Sequence, residues 1–252
     1  MEKEDLLLLK HLSDLAEKSY RNNMFTFSGF LSLTQQDILA GLLKEHPYMH
    51  ASLFGGNDAC ERKMVRFGNS EELGYEEAFP IVCIHIKPLI EKFADTFTHR
   101  DFLGAIMNLG IERDTVGDIF LKEKTAYVYC QEKIAPYIMN ELDQVKHTHI
   151  SCETVSGEET QLVKEPVSKE IIVSSTRIDG VVAKVYHLSR SQSIELFRAK
   201  RVFVNGRTQE NNSYFVKPQD SITVRGFGKF DFLGEVYHTK KDRLCIAIAK
   251  YE

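Results

Sequence analysis

The chain has 252 residues, 43% of them hydrophobic and 27% charged, with a formal net charge of −4. That length holds two or three small domains, and that composition excludes a fibrous or largely disordered protein. The apolar run Leu6 to Leu9 is too short to span a bilayer and is preceded by acidic residues where a secretory leader places basic ones, so a cytoplasmic protein without membrane insertion is expected. Five cysteines, Cys60, Cys83, Cys130, Cys152 and Cys245, form no CxxC pair; reduced thiols are expected, with neither a disulfide frame nor a zinc site.

Residues 1–75 read as a mostly helical domain. Leu6, Leu9, Leu12 and Leu15 recur every three residues, and Thr34 is the expected cap of a second helix whose stripe is Ile38, Leu39, Leu42 and Leu43. The adjacent Gly55-Gly56 that follow read as a turn in preference to a phosphate cradle.

Residues 76–155 alternate in type. Ile81 to Ile86 is strand-like, Arg100 to Leu109 helical, Asp118 to Leu121 and Thr125 to Cys130 a hairpin, Glu132 to Val145 helical, and His147 to Cys152 strand-like. The order β-α-β-β-α-β predicts the ferredoxin-like split motif shared by RNA-recognition domains, with four antiparallel strands backed by two helices. Such domains stack bases on aromatics of the central strands. Here Tyr127 and Tyr129 fit that pattern while Thr125 and Cys130 do not, which makes a docking or spacer role of this sheet at least as good a reading. His147 and His149 fall two apart on the expected last strand; with no third ligand nearby they read as surface or packing residues, and no metal is expected. The polar, proline-broken stretch from Glu153 to Glu170 marks a linker, set at 156–173.

Residues 174–252 differ in charge. From Lys169 onward there are 15 Lys+Arg against 9 Asp+Glu, a net of +6, which leaves 17 against 27, a net of −10, for residues 1–168. A basic module on an acidic body points to nucleic acid at the C-terminal third. Ile178, Val181, Val182 and Val185 predict a helix with one buried stripe, leaving Arg177, Gly180 and Lys184 on another face. Ser189 is the expected N-cap of the next helix, with Ile194, Phe197 and Ala199 inward and Arg190, Ser191 and Ser193 at its start, where amide groups, hydroxyls and a guanidinium can hold a phosphate.

The run Ser174 to Phe230 resembles the S-four-type RNA-binding domain, named after a small-subunit ribosomal protein. Two short basic helices, the turn Val202-Phe203-Val204-Asn205-Gly206 and the ending Asp220 to Gly226 carry the likeness. Three segments extend it to nearly the whole chain: Gly55-Gly56 with Ala59-Cys60-Glu61-Arg62, Leu109 to Arg113 with Gly117-Asp118-Ile119, and the basic domain itself. Together they resemble the bacterial YlmH family, which has plastid relatives. The resemblance implies an α+β chain with a helical N-terminal part, a ferredoxin-like middle and an S-four-type domain with a C-terminal β extension. It also implies non-catalytic RNA binding to rRNA and peptidyl-tRNA on the large ribosomal subunit in ribosome-associated quality control, with cell-division proteins as possible partners. The RNA-binding residues it carries over are Arg177, Asp179, Ser189, Arg190, Ser191, Lys200, Arg201, Asn205 and Gly206, joined by Lys184 and Arg207 from the basic surface. Two roles fit Asp179: orienting Arg177 or Arg190, or accepting a hydrogen bond from a 2′-hydroxyl or a base edge.

Enzyme readings fare worse. S-four-type domains accompany pseudouridine synthases, rRNA methyltransferases and tyrosyl-tRNA synthetases, but His85-Ile86-Lys87-Pro88 lacks the glycine and second histidine of a synthetase signature. Gly226-Phe227-Gly228 ends a strand instead of opening a helix, unlike a dinucleotide loop. No catalytic residue and no cofactor is expected.

Overall fold

The computed structural model describes residues 3–156, 167–239 and 243–251. The chain is α+β and divides into two compact units, Met1–Val163 and Lys164–Glu252.

The first unit opens with α1 (Lys3–Asn22), which ends where Asn23 takes a left-handed φ of 49°. Its buried line is Leu12, Ala16 and Ser19, whereas Leu6 stays exposed. A strict three-residue spacing drifts around a helix of 3.6 residues per turn, so the expected leucine stripe stays on the inner face for part of its length only. After β1 (Thr26–Leu31), α2 (Leu33–Glu45) is capped by Ser32 instead of Thr34. Ser32 and Gln35 close a reciprocal box, Ser32 N–H to Gln35 Oε1 at 2.8 Å and Gln35 N–H to Ser32 Oγ at 3.4 Å. The chain around and beyond the helices, within the region expected to be mostly helical, forms strands: β1 joins β2 (Ala51–Phe54) and β3 (Lys63–Phe67) in an antiparallel sheet of order β1-β3-β2. These strands are short and do not alternate cleanly, which hides them from a period-two reading. Helices and sheet enclose Leu12, Leu31, Leu39, Val65 and Phe67, and the short α3 (Ser70–Leu73) follows.

The middle part is built from β4 (Ile81–Pro88), α4 (His99–Met107), β5 (Val116–Lys122), β6 (Thr125–Gln131), α5 (Ala135–Glu141), β7 (Gln144–Val145) and β8 (Thr148–Val155). Its sheet runs β5-β6-β4-β8-β7, all antiparallel. The first four are the split βαβ order expected, with first and last strands paired, Ile84 facing both Val128 and Thr154. The second helix is shorter than expected: α5 stops at Glu141, and Gln144–Val145 pair with β8 around Lys146, whose φ is 53°. That turn leaves His147 outside the strand and His149 exposed on it. One sheet face packs on α4 and α5 through Ile84, Ile86, Phe102, Ile106, Val128 and Ile138, each fully buried and contributing about 1.5–3 kcal/mol of apolar burial.

The two family-like segments of this unit meet in a seam. Asp118 Oδ2 accepts the N–H groups of Glu61 and Arg62 at 2.6 and 2.8 Å. Arg62 in turn donates to Phe30 O at 2.7 Å and Val116 O at 3.3 Å, and Arg113 donates to Val116 O and Gly117 O. Gly56 has φ +108°, and a Cβ there would fall 2.1 Å from the Tyr129 ring, so the turn expected at Gly55-Gly56 is a close approach of backbone to sheet. The Leu109 to Ile119 motif therefore ties the N-terminal helices and sheet to the middle sheet.

The second unit contains β9 (Val167–Val173), α6 (Ile178–Val185), α7 (Arg190–Arg198), β10 (Val202–Val204), β11 (Arg207–Thr208), β12 (Ser221–Val224), β13 (Gly228–His238) and β14 (Leu244–Tyr251) in a six-stranded antiparallel sheet of order β11-β10-β12-β13-β14-β9. Of the expected linker 156–173, residues 157–166 lie outside the described residues, while Val167–Val173 form β9 along the whole of β14. Ile171 and Val173 face the core while Ile172 between them is exposed, so an apolar Ile-Ile-Val run after charged residues hides the two-residue alternation. All five cysteines are free, and burial pushes the Cys60, Cys83 and Cys130 thiols up to about 12. Among the described residues no helix is long and apolar enough to cross a membrane.

Candidate nucleic-acid interface

On α6 the expected stripe holds, with Ile178, Val181, Val182 and Val185 all buried. Asp179 is buried as well, at 1% exposure, although its neighbours in sequence include the helix cap Arg177 and the open Gly180. A buried carboxylate needs partners, and three residues donate to this one. Arg177 grips it with Nε to Oδ1 at 3.2 Å and Nη2 to Oδ2 at 3.1 Å. Arg190 donates Nε and Nη2 to Oδ2 at 3.4 and 3.3 Å. The Gly180 N–H reaches Oδ1 at 2.9 Å, and Ser193 Oγ donates to the Asp179 carbonyl at 2.8 Å. Burial alone would raise the Asp179 pKa; the Arg177 hydrogen bonds and charge, the Gly180 N–H and the Arg190 charge outweigh it and hold the carboxyl below its ordinary value.

The result is a fixed pair of guanidiniums carrying one net positive charge. Their exposure differs, with side chains 33% exposed at Arg177 and 67% at Arg190. Beside them α7 starts at Ser189, whose Oγ accepts the Gln192 N–H at 3.2 Å while the Gln192 side chain accepts the Ser189 N–H at 2.9 Å. Ser191 Oγ lies 3.0 Å from Ser189 Oγ, and Lys184 is exposed on α6. An exposed arginine, serine hydroxyls and a capped helix N-terminus together can bind a phosphate.

The inward side of α7 departs from expectation. Ser193, Leu196 and Phe197 are buried, Ile194 is half-buried, and Ala199 is exposed at the C-cap. Ser193 lies four residues before Phe197, the helical spacing that marks it as inward and that its polarity hid.

The remaining candidates sit around the β10–β11 turn and are more tightly engaged. Asn205 and Gly206 both have positive φ, 51° and 78°, which gives the primed hairpin turn that suits Asn-Gly. Asn205 Nδ2 donates to Asp220 Oδ1 and its Oδ1 accepts the Ser221 N–H, both at 2.8 Å. Asp220 also accepts from Tyr214 OH and the Lys217 N–H, each at 2.8 Å. The turn and the Asp220 to Gly226 ending are thus one clamp. Arg201 donates Nε and Nη2 to Arg225 O at 3.1 and 2.6 Å, and its guanidinium lies 5.8 Å from the Phe227 ring centre. Lys200 pairs with Glu210 at 3.3 Å, and Arg207 is exposed on β11. Geometry therefore brings Arg177, Asp179, Ser189, Arg190 and Ser191 together, while Arg201 and Asn205 each also hold partners within the domain. Ser193, expected among the phosphate-holding hydroxyls at the helix start, is instead fully buried and donates to the Asp179 carbonyl, and Asp220 of the expected ending anchors the turn; Tyr214, a polar residue in a turn pattern, is the partner that the sequence did not mark.

Known families match both parts. Residues 75–159 fit the family model "Putative RNA-binding domain in YlmH", and residues 176–222 fit the S4 domain. The chain has a YlmH-type domain followed by an S4 domain. It is 27% identical over 233 residues to the Bacillus subtilis (strain 168) "Ribosome-associated protein quality control protein P2", covering 91% of this chain and 87% of the relative. Among solved structures, cell division protein ylmH from Streptococcus pneumoniae matches with a TM-score of 0.53 and 20% identity, over 64% of this chain and 96% of that one. At that identity the likeness concerns the fold. The Asp179 cluster lies within the S4 match.

Proposed function

We propose that the chain is a non-catalytic RNA-binding protein of the cytoplasm that acts on the ribosome, contacting large-subunit rRNA and peptidyl-tRNA in ribosome-associated quality control. The observation that carries it is Asp179: buried, ionised and shared by Arg177 and Arg190, it presets two guanidiniums at the start of α7 before any ligand arrives. Preset cations lose little side-chain freedom on binding, which favours a particular phosphate arrangement over diffuse attraction. The YlmH-type domain and the quality-control relative support the ribosomal setting. Lys184, Ser191, Lys200 and Arg207 extend the same surface as phosphate contacts.

Gradient sedimentation with large ribosomal subunits tests the proposal. The unaltered chain is expected to travel with the subunit in low salt, and Arg177→Ala/Arg190→Ala to remain at the top. Single substitutions at Arg177 or Arg190 should weaken binding across RNA sequences and lower the salt slope by about one unit or less. A chain that stays at the top of the gradient while co-purifying with division proteins overturns this reading in favour of a cell-division interaction protein.

A further inference from the structure

The helix-free face of the middle sheet offers few aromatics to a ligand. Tyr129 is 2% exposed and its OH accepts from Asn57 Nδ2 at 2.8 Å, under Gly56. Tyr127 is stacked on His85, with ring centres 4.4 Å apart and planes within 6°. Lys87 and His85 share Glu153 at 2.7 and 3.3 Å. The end of the same sheet is different. β4 leaves it at Pro88, and the next residues carry three large apolar side chains into solvent: Leu89 is 64%, Ile90 60% and Phe93 76% exposed. The segment is held in place, with Leu89 N–H on His149 O at 3.0 Å and Lys124 Nζ, from the β5–β6 turn, on Glu91 O at 2.8 Å. Three neighbouring apolar side chains exposed on a fixed segment have no packing role and mark a contact site.

The charge around the trio gives the class of partner. Residues 76–155 hold 8 Lys+Arg and 13 Asp+Glu, a net of −5, yet four of the eight cations, Lys87, Lys92, Lys122 and Lys124, fall at this end. Lys92 Nζ stands 5.7 Å from the Phe93 ring centre. An apolar peptide seated on Phe93 would have to desolvate that ammonium, whereas a phosphate accepts it. An unpaired nucleic-acid strand places a phosphate on either side of each base, which suits a ring with Lys92 beside it and Lys124 bonded to the same segment at Glu91 O.

We propose that the Leu89 to Phe93 segment and the β5–β6 turn form a second RNA site, which takes an unpaired strand with a base stacked on Phe93 and phosphates on Lys92 and Lys124. It rests on the reading of the chain as an RNA-binding protein and moves the contact of the YlmH-type domain from its sheet face to its sheet end.

The test is fluorescence anisotropy of the full chain with a short labelled oligoadenylate, alongside a labelled RNA hairpin. Phe93→Ala should weaken oligoadenylate binding about tenfold, the scale of one stacked base. Lys92→Ala/Lys124→Ala should lower the salt slope by one to two units, and Tyr127→Ala should stay within about twofold. Phe93 is largely exposed, so an unchanged melting temperature is expected and excludes misfolding as the cause. No oligoadenylate binding by the unaltered chain, or unaltered affinity in Phe93→Ala, overturns the site. It is equally overturned if Phe93→Ala keeps RNA affinity and loses a protein partner, which would make the trio a protein-docking surface. Hairpin affinity lost in Arg177→Ala/Arg190→Ala together with unchanged oligoadenylate affinity in Phe93→Ala leaves the S4 reading standing without this site; the reverse pattern leaves this site without the S4 reading.

Discussion

Asp118 and Asp179 each lie beside two arginines, yet their surroundings drive them in opposite directions. Burial pushes the Asp118 carboxyl above its ordinary value, against the Arg62 and Glu61 N–H groups and the Arg62 and Arg113 charges. At Asp179 the arginines win and the carboxyl drops below it. What separates the two is where the guanidiniums point. Arg62 and Arg113 aim inward at the carbonyls of Phe30, Val116 and Gly117, so their charge fastens backbone to backbone. Arg190 touches Asp179 with one edge and turns the rest to solvent. Similar residue types thus make a clamp in one unit and a poised cationic surface in the other.

The largest effect is expected from Asp118→Ala. It strips two N–H groups of their acceptor and removes the counter-charge of Arg62 and Arg113, a loss of about 3–5 kcal/mol in the denaturant transition of the first unit. Asp118→Asn keeps an acceptor oxygen and should cost less than half as much. A loss below about 1 kcal/mol in Asp118→Ala would show that the seam does not depend on this carboxylate.

Gly56→Ala probes the same seam without touching charge. The added methyl meets the buried Tyr129 ring at a φ of +108°, so about 2–3 kcal/mol of destabilisation is expected. Native-like stability in this variant would mean that the 55–60 turn moves freely on the sheet.

On the other side of the comparison, Asp179→Ala should leave the first unit's transition in place and act on RNA. An electrostatic patch alone would bind all RNAs more tightly once a negative charge is gone. Loss of the shared anchor should instead weaken specific binding about tenfold, near 1.4 kcal/mol, while non-specific binding holds or rises. Uniformly tighter binding to every RNA sinks the anchoring role. Acid titration gives an independent reading. A carboxyl with a depressed folded pKa contributes stability above its unfolded value, near 3.8, and that contribution is lost as the pH falls through and below it. The second unit should therefore weaken below about pH 4, and Asp179→Asn should flatten that fall.

Much of this was legible in the sequence because pattern and structure agreed there. The split βαβ order could be read because β4 and β6 are short runs rich in β-branched and aromatic residues, with α4 between them and α5 after β6. The S4 motif could be read because Asn205-Gly206 admits few backbone shapes and Ser189 with Gln192 forms a capping box. The N-terminal sheet could not, since β1 to β3 are four to six residues long and owe their pairing to tertiary contacts. The intramolecular partners of Arg201 and Asn205, Arg225 O and Asp220, were hidden for a related reason, since a cation or an amide does not show in sequence which distant group it meets.

The smallest expected effect belongs to Tyr127. Its position on β6 matches a central-strand aromatic of an RNA-recognition sheet, which argues for base stacking. Its neighbours argue against: His85 already covers the ring at 4.4 Å, and the companion Tyr129 is buried beneath Gly56. A base would have to displace His85 or share the ring with it, so the gain available from stacking is small. Tyr127→Ala should change RNA affinity by less than about 1 kcal/mol, below the 1–3 kcal/mol of a stacked base. Titration of the same RNA against both chains, with melting temperatures as the folding control, decides the matter. A larger loss in a folded variant would place RNA on the sheet face, and the contrast between a braced first unit and a poised second one would have to be redrawn.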